Sequence, residues 1–333
     1  MTSPTVKQLG EIGLLQYLRR FCPAEALADD GAVLSVAPGY QLVVTTDVLV
    51  EDVHFSDRTT RPEDVGWRAT AANLSDLAAM GAEPLGITLG LGLPETTSLD
   101  WIGPFYQGIG ACLSRYGGVI LGGDLCRAPV VTVSITALGQ VRPQHILRRS
   151  AALAGDAIVV TGNHGGARAG LELLLLQSQG ATLSAIDQQC LIKAHQRPQP
   201  RFDVLPVLWQ VCGLLSRPIA AMDSSDGLAN AVLQICRESQ VGAQIVRSQL
   251  PMPPALIQWR SETEALNWCL YGGEDFELVL ALPPELAADF VAEVGEPAAI
   301  VGTFTDEPAV TLGDSQNGRA AETLSLEQGF QHF

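Results

Sequence analysis

The chain has 333 residues, 47% of them hydrophobic and only 17% charged, with a formal net charge of −16. That length exceeds one hydrophobic core of usual size, and the apolar content excludes a disordered chain. The negative charge argues against nucleic acid or an anionic membrane as partner, since each needs a basic footprint.

In chain order, residues 41–50 read as a buried β-branched strand. Pro62, Glu63 and Asp64 open a helix over 62–80 that stops at Gly81, with Asp76 near its C-terminal end, where the helix dipole opposes a carboxylate. A strand (85–93), a helix (98–116), a strand running into Gly122-Gly123-Asp124 and a strand (130–139) follow. The stretch from Arg148 to Asp156 reads as a hinge, which places one domain at 1–148 and a second at 149–333. The second begins with a strand (156–161) and a glycine-rich turn, then helices near 165–178, 184–195 and 203–214 and a strand (217–222) ending at Asp223. A helix (226–239), strands (243–247 and 277–282), a helix (284–294) and a strand (298–304) complete it. This alternation of helices and strands indicates an α/β (α+β) protein.

Six acidic motifs sit at the ends of these elements: Asp29-Asp30-Gly31, Thr45-Thr46-Asp47, Asn73-Leu74-Ser75-Asp76, Gly122-Gly123-Asp124, Asp223-Ser224-Ser225-Asp226-Gly227 and Gly272-Gly273-Glu274-Asp275. Each alone also fits a turn or a helix cap. Together they supply the hard oxygen donors that Mg²⁺ needs, since that ion is held by one or two carboxylates plus substrate phosphates and water. Their spread over the chain points to one composite phosphate-handling site. His54 fits a structural role or a ligand role, and Arg149 fits a surface charge or a phosphate clamp.

Lysine occurs only at Lys7 and Lys193, and neither follows a glycine, so the G-x-x-x-x-G-K-[ST] phosphate loop is absent. The protein-kinase motifs are absent too. The seven cysteines are widely spaced with no C-x-x-C, which fits a reducing compartment better than a zinc or disulfide framework. The opening Met-Thr-Ser-Pro-Thr-Val-Lys leads into no apolar stretch, and no run is long enough to span a bilayer, so a cytoplasmic protein is expected.

The strings Thr45–Val50 with His54-Phe55, NLSDLAAMGA at 73–82, Gly122-Gly123-Asp124, Asp223–Leu228 and GGEDFEL at 272–278, with the ending Gly329–Phe333, closely resemble the thiamine-monophosphate kinase family. That family belongs with the aminoimidazole-ribonucleotide synthetase-like ATP-dependent enzymes. One departure is Ala28, where the family usually has glycine before the Asp pair. The resemblance implies a two-domain fold, a homodimer pairing its N-terminal sheets, and an active site between the domains. It implies ATP-dependent phosphorylation of thiamine monophosphate to thiamine diphosphate, the last step of thiamine diphosphate biosynthesis. It further implies Mg²⁺ ligands at Asp30, Thr45, Thr46, Asp47, Asp76, Asp124, Asp223 and Asp226, with nucleotide contacts at Gly123, Arg149, Ser225 and Tyr116. His54, Glu274 and Phe330 are implied in the thiamine-phosphate pocket.

Neighbouring activities of the superfamily stay open at this stage. Selenophosphate synthetase is disfavoured because Cys22 and Lys7 lie in no glycine-rich setting, and the hydrogenase maturation enzyme because the chain ends in Phe333 rather than cysteine. Aminoimidazole-ribonucleotide synthesis lacks so clean a marker. A non-catalytic cation- or nucleotide-binding regulator would use the same acidic motifs, although the EF-hand spacing is absent.

Overall fold

The computed structural model describes residues 3–23, 32–176, 182–213, 215–314 and 321–329. Two compact units emerge, one from 1–77 with 82–143, the other from 78–81 with 144–333. Among the described residues no helix is long and apolar enough to cross a membrane.

In the first unit α1 (Val6–Leu18) precedes β1 (Gln41–Val50), α2 (Pro62–Ala79, whose last residues count with the second unit) and β2 (Glu83–Leu93). Then come α3 (Leu99–Tyr116), β3 (Val119–Arg127) and β4 (Thr132–Val141). The sheet order is β1-β4-β2-β3, so β1 and β3 are its edges. Only β2 and β3 run parallel; β4 is antiparallel to β1 and to β2.

Strand periodicity divides β1 between two faces. Leu42, Val44 and Val48 are 48%, 56% and 46% exposed, whereas Thr45 and Asp47 on the other face meet side chains of α2. Helices α2 and α3 approach through glycines. A Cβ on Gly66 would lie 1.9 Å from the carbonyl oxygen of Phe105, and one on Gly108 would lie 1.8 Å from that of Glu63. Backbone cannot yield there as a flexible side chain could. Gly108→Val is therefore expected to destabilise the protein by about 3 kcal/mol, read as a lowered urea midpoint. An unchanged midpoint would show that the helices can separate freely.

The second unit contains β5 (Ala157–Val160), α4 (Gly166–Leu175), α5 (Ala185–Gln196), α6 (Leu205–Cys212), β6 (Ala220–Asp223), α7 (Leu228–Ser239) and β7 (Gly242–Val246). It continues with α8 (Pro254–Trp259), α9 (Glu262–Tyr271), β8 (Leu278–Leu282), α10 (Pro284–Val294), β9 (Ala299–Thr305), β10 (Val310–Gly313) and β11 (Glu322–Thr323). The seven strands form one sheet, ordered β11-β10-β7-β9-β5-β8-β6 and mostly antiparallel. Every residue of β5, β6 and β8 is buried. Alternate residues feed two cores: Ile158, Val160, Met222 and Val279 pack with α7 and α9, while Val159, Ala221 and Leu280 pack with α6 and α10. A strand covered on both faces needs such an unbroken apolar run, and that run is what the sequence shows.

The expected elements lie at their expected places within a few residues. The helices α1, α8 and α9 and the strands β10 and β11 are additions, and the helix expected near 203–214 opens as a 3₁₀ turn at Phe202–Val204.

Candidate active site

Two side-chain periods coincide where β1 faces α2. Thr45 and Asp47 are two apart on a strand and share a face; Asn73 and Asp76 are three apart on a helix and also share a face. Thr45 Oγ1 donates to Asp76 Oδ2 at 2.5 Å, and the Asp47 backbone N–H donates to Asn73 Oδ1 at 3.1 Å. The Asn73 amide nitrogen in turn donates to the Ala69 carbonyl at 2.9 Å, so both ends of this buried amide are used. Asn73 is a positioning residue that the acidic residues alone would not reveal, although it stands inside the NLSDLAAMGA string. The last turn of α2 holds no basic residue to offset Asp76.

Thr46 points to the opposite face of β1, where its hydroxyl lies 2.8 Å from Thr136 Oγ1. Its side chain is thus not brought to the Thr45–Asp76 group. Asp124 stands in register with Gly90 on edge strand β3, with β4 and β2 between it and β1. Three strand spacings amount to about 14 Å across the sheet. Gly123 and Asp124 instead line a small cavity with Cys22, Leu89 and Tyr106. Tyr116, expected near the nucleotide, is not in that lining. It ends α3, edge-on to Trp67 with ring centroids 6.2 Å apart. Only the packing of α3 shows which of its tyrosines faces this cavity.

In the turn after β1, His54 Nδ1 accepts from the Val50 backbone N–H at 3.0 Å, which leaves the ring proton on Nε2 when the imidazole is neutral. Asp30 and Phe330 lie outside the described residues.

In the second unit the loop after β6 is clamped against the Gly272–Glu277 segment. The Ser224 backbone N–H donates to the Glu277 carbonyl at 2.8 Å, the Glu277 N–H donates to Ser224 Oγ at 3.1 Å, and the Glu274 N–H donates to the Ser225 carbonyl at 2.6 Å. Ser225 Oγ donates to Asp223 Oδ1 at 2.9 Å. Asp223 is buried at the strand end, while Asp226 is exposed beside the N-terminus of α7. Arg149 is exposed, and its carbonyl accepts from Ser239 Oγ at 2.7 Å.

Three further polar groups stiffen this loop pair. His164 is fully buried, with Nδ1 3.1 Å from the Gly162 carbonyl and Nε2 3.0 Å from Ser224 Oγ. A carbonyl only accepts, so Nδ1 holds the proton and the Ser224 hydroxyl donates to Nε2. Glu277 accepts from Thr161 Oγ1 at 2.6 Å and pairs with Arg201, which also holds Asp203. Asp275 accepts from the Gly165 and Ala167 N–H groups at 2.7 and 2.9 Å. The glycine-rich N-terminus of α4, a ready anion site, is thus filled by the chain's own carboxyl. Burial raises the Asp275 pKa to about 7 despite those two donors.

Burial also lowers the His164 pKa to about 4. Its unfolded value is about 6.5, so both states are neutral above that pH, and between 6.5 and 4 only the unfolded chain takes the proton. This histidine's contribution is fully present above pH 6.5 and is lost as pH falls toward 4, by about 2 kcal/mol at pH 5. The difference in urea stability between wild type and His164→Gln is expected to shrink by that amount from pH 8 to pH 5. A difference independent of pH would mean that the imidazole titrates normally in the fold.

The family described as AIR synthase related protein, N-terminal domain, matches residues 28–141, and the corresponding C-terminal domain matches 154–315. A thiamine-monophosphate kinase of Synechococcus elongatus is 50% identical over 335 aligned positions, covering 100% of this chain and 99% of that relative. The chain belongs to the thiamine-monophosphate kinase family of enzymes. A solved thiamine-monophosphate kinase from Stenotrophomonas maltophilia superposes with a TM-score of 0.76 at 35% identity, covering 94% of this chain and 97% of that one. A further structure, described as AaThiL complexed with AMPPCP and TMP, superposes with a TM-score of 0.72 at 27% identity, covering 97% and 99%.

Among the described residues no group of three or more His, Cys, Asp or Glu side chains is gathered closely enough to hold a metal ion by itself. For Mg²⁺ that is compatible with a site, because the ion takes one or two carboxylates and completes its shell with phosphate oxygens and water. The Thr45–Asp76 pair and the neighbouring Asp47 offer oxygen donors on a fixed strand and helix. The residues present fit the ion.

Proposed function

We propose that this protein transfers the γ-phosphoryl group of ATP directly to thiamine monophosphate, giving thiamine diphosphate and ADP. The observation that carries this reading is the meeting of β1 and α2, where Thr45, Asp47, Asn73 and Asp76 form an oxygen-rich group held by two hydrogen bonds. The relatives named thiamine-monophosphate kinase, and the neighbour that holds an ATP analogue with TMP, support the choice of both substrates.

Asp30, Thr45, Asp47, Asp76, Asp124, Asp223 and Asp226 are the proposed Mg²⁺ ligands; Thr46, whose side chain turns to Thr136, would serve only through its backbone carbonyl, and Asp124, three strands from β1, would serve a separate ion. When bound, the ions neutralise phosphate charge and hold the two phosphoryl groups in register. The region 1–148 is assigned to metal and nucleotide binding and to dimerisation, and 149–333 to completing the site. Gly123 and Tyr116 take the nucleotide side; Ser225 and Arg149 serve the phosphates. His54, Glu274 and Phe330 take the thiamine phosphate.

The bond changes balance without a general base. The terminal P–O bond of ATP breaks and ADP departs, while an acceptor phosphate oxygen forms the new P–O bond. That oxygen is already largely deprotonated at neutral pH, its second pKa being about 6. In this reading the protein orients both groups and excludes water. The exposed apolar face of β1, carrying Leu42, Val44 and Val48, supports a homodimer that covers it. A cytoplasmic location is part of the same reading.

Radiolabel in the γ-position of ATP tests the transfer. Label is expected in thiamine diphosphate, with none on the protein before acceptor is added. A labelled phosphoprotein that passes its label on when acceptor arrives would replace direct transfer with a two-step route.

A further inference from the structure

Behind Glu274 stands a buried imidazole that the reaction as described does not use. His195, on α5, has 2% of its side chain exposed; its Nδ1 lies 3.3 Å from Oε2 of Glu274, whose side chain is 34% exposed. A carboxylate only accepts, so an imidazole nitrogen facing it carries a proton.

Both partners are held rigidly. At the crossing of α4 and α5, a Cβ on Gly170 would lie 2.0 Å from the Leu191 carbonyl oxygen and 3.1 Å from His195 Cβ, so His195 sits where the two helices touch backbone to backbone. The Glu274 backbone is in the left-handed region at φ +60°, between Gly273 at +66° and, one residue further on, Phe276 at +53°. Its N–H is tied to the Ser225 carbonyl at 2.6 Å. Non-glycine residues hold such conformations only where the surroundings over-determine them, and they gather at ligand-binding sites.

We propose that His195 is a positioning residue that holds the Glu274 carboxylate facing outward, as counter-charge for the positively charged ring of the acceptor. This rests on the reading of the chain as a thiamine-phosphate kinase. That acceptor is anionic at its phosphate and permanently cationic at its five-membered ring. In a protein that handles phosphate with metal ions, the cationic end calls for a carboxylate. Fixing that carboxylate before binding lowers the entropy lost on binding, so the effect of His195 falls on acceptor affinity.

The test compares wild type, His195→Ala, His195→Asn, Glu274→Gln and the His195→Ala/Glu274→Gln double variant, in steady-state kinetics and in equilibrium binding of thiamine monophosphate. His195→Ala is expected to raise the acceptor KM and Kd about tenfold while the KM for ATP and kcat stay within about twofold. His195→Asn, which keeps an N–H near the Nδ1 position, is expected to recover most of the loss. In the Glu274→Gln background, His195→Ala is expected to add nothing, because both changes act through one carboxylate. An acceptor analogue with a neutral thiophene in place of thiazolium is expected to bind wild type and His195→Ala alike.

Normal wild-type turnover with an unchanged acceptor KM in His195→Ala, or additive effects in the double variant, would overturn the role of His195 alone. Wild type that binds thiamine monophosphate but never turns it over would overturn the kinase reading alone. If His195→Ala does not fold, His195→Asn and Glu274→Gln decide: near-normal acceptor affinity in the first and a tenfold loss in the second support the proposal, and equal affinities overturn it.

Discussion

Asp76→Asn is expected to lower kcat/KM by about three orders of magnitude while the protein stays folded. The amide keeps an oxygen that can accept from Thr45 Oγ1, the bond that measures 2.5 Å to the carboxylate, so the junction of α2 with β1 survives. What disappears is the negative charge, and with it the pull on a divalent ion. Stability should move the other way. Asp76 lies in the last turn of α2, where the dipole is unfavourable and no residue of that turn is basic. Removing the charge is expected to stabilise the metal-free protein by about 0.5 kcal/mol. Thermal melts beside initial rates separate the two effects. A variant that unfolds yet keeps full rate in its folded fraction would assign Asp76 a purely structural role.

Removing divalent metal is expected to have an even larger effect. The chain carries a net charge of −16 and has only two lysines, Lys7 and Lys193, so it cannot draw a triphosphate and a phosphate monoester together by its own field. Two like unit charges 4 Å apart repel by about 4 kcal/mol at the effective dielectric of a protein surface. At 1.36 kcal/mol per decade, each uncompensated pair of charges costs nearly three decades of rate. Chelation is therefore expected to bring turnover below about 0.1% of its starting value, and added Mg²⁺ to restore it. Substantial turnover in excess chelator would show that protein side chains neutralise the phosphates instead.

Legibility in the sequence followed how local each cause was. The strands β5, β6 and β8 were readable because burial on both faces demands an unbroken apolar run. Helix α2 was readable from Pro62, Glu63 and Asp64 at one end and Gly81 at the other. Helices α1 and α9 carry a local start signal. Thr5 with Gln8 and Ser261 with Glu264 are capping pairs, and Ser261 Oγ accepts from the Glu264 N–H at 3.3 Å. Among the site residues, Thr45, Asp47 and Asp76 could be named from their motifs. That Thr46 turns to Thr136 followed only from strand register, and that Tyr116 packs on Trp67 only from the packing of α3 against α2. His164 and His195 had no local signature, and the motif that contains Asp275 did not show what its carboxyl would meet. Their partners, Ser224, Glu274 and the N-terminus of α4, are 60, 79 and roughly 110 residues away in the chain, so tertiary structure alone brings them together.

The most direct measurement is anomalous diffraction from crystals grown with Mn²⁺, a non-hydrolysable ATP analogue and thiamine monophosphate. Manganese peaks are expected within bonding distance, about 2.1 Å, of the Asp47, Asp76 and Asp223 carboxylate oxygens, each peak also touching a phosphate oxygen. Both ligands bound with no metal at Asp47 or Asp76 would contradict the metal-bridged transfer, and would return those carboxylates to a structural role at the junction of β1 and α2.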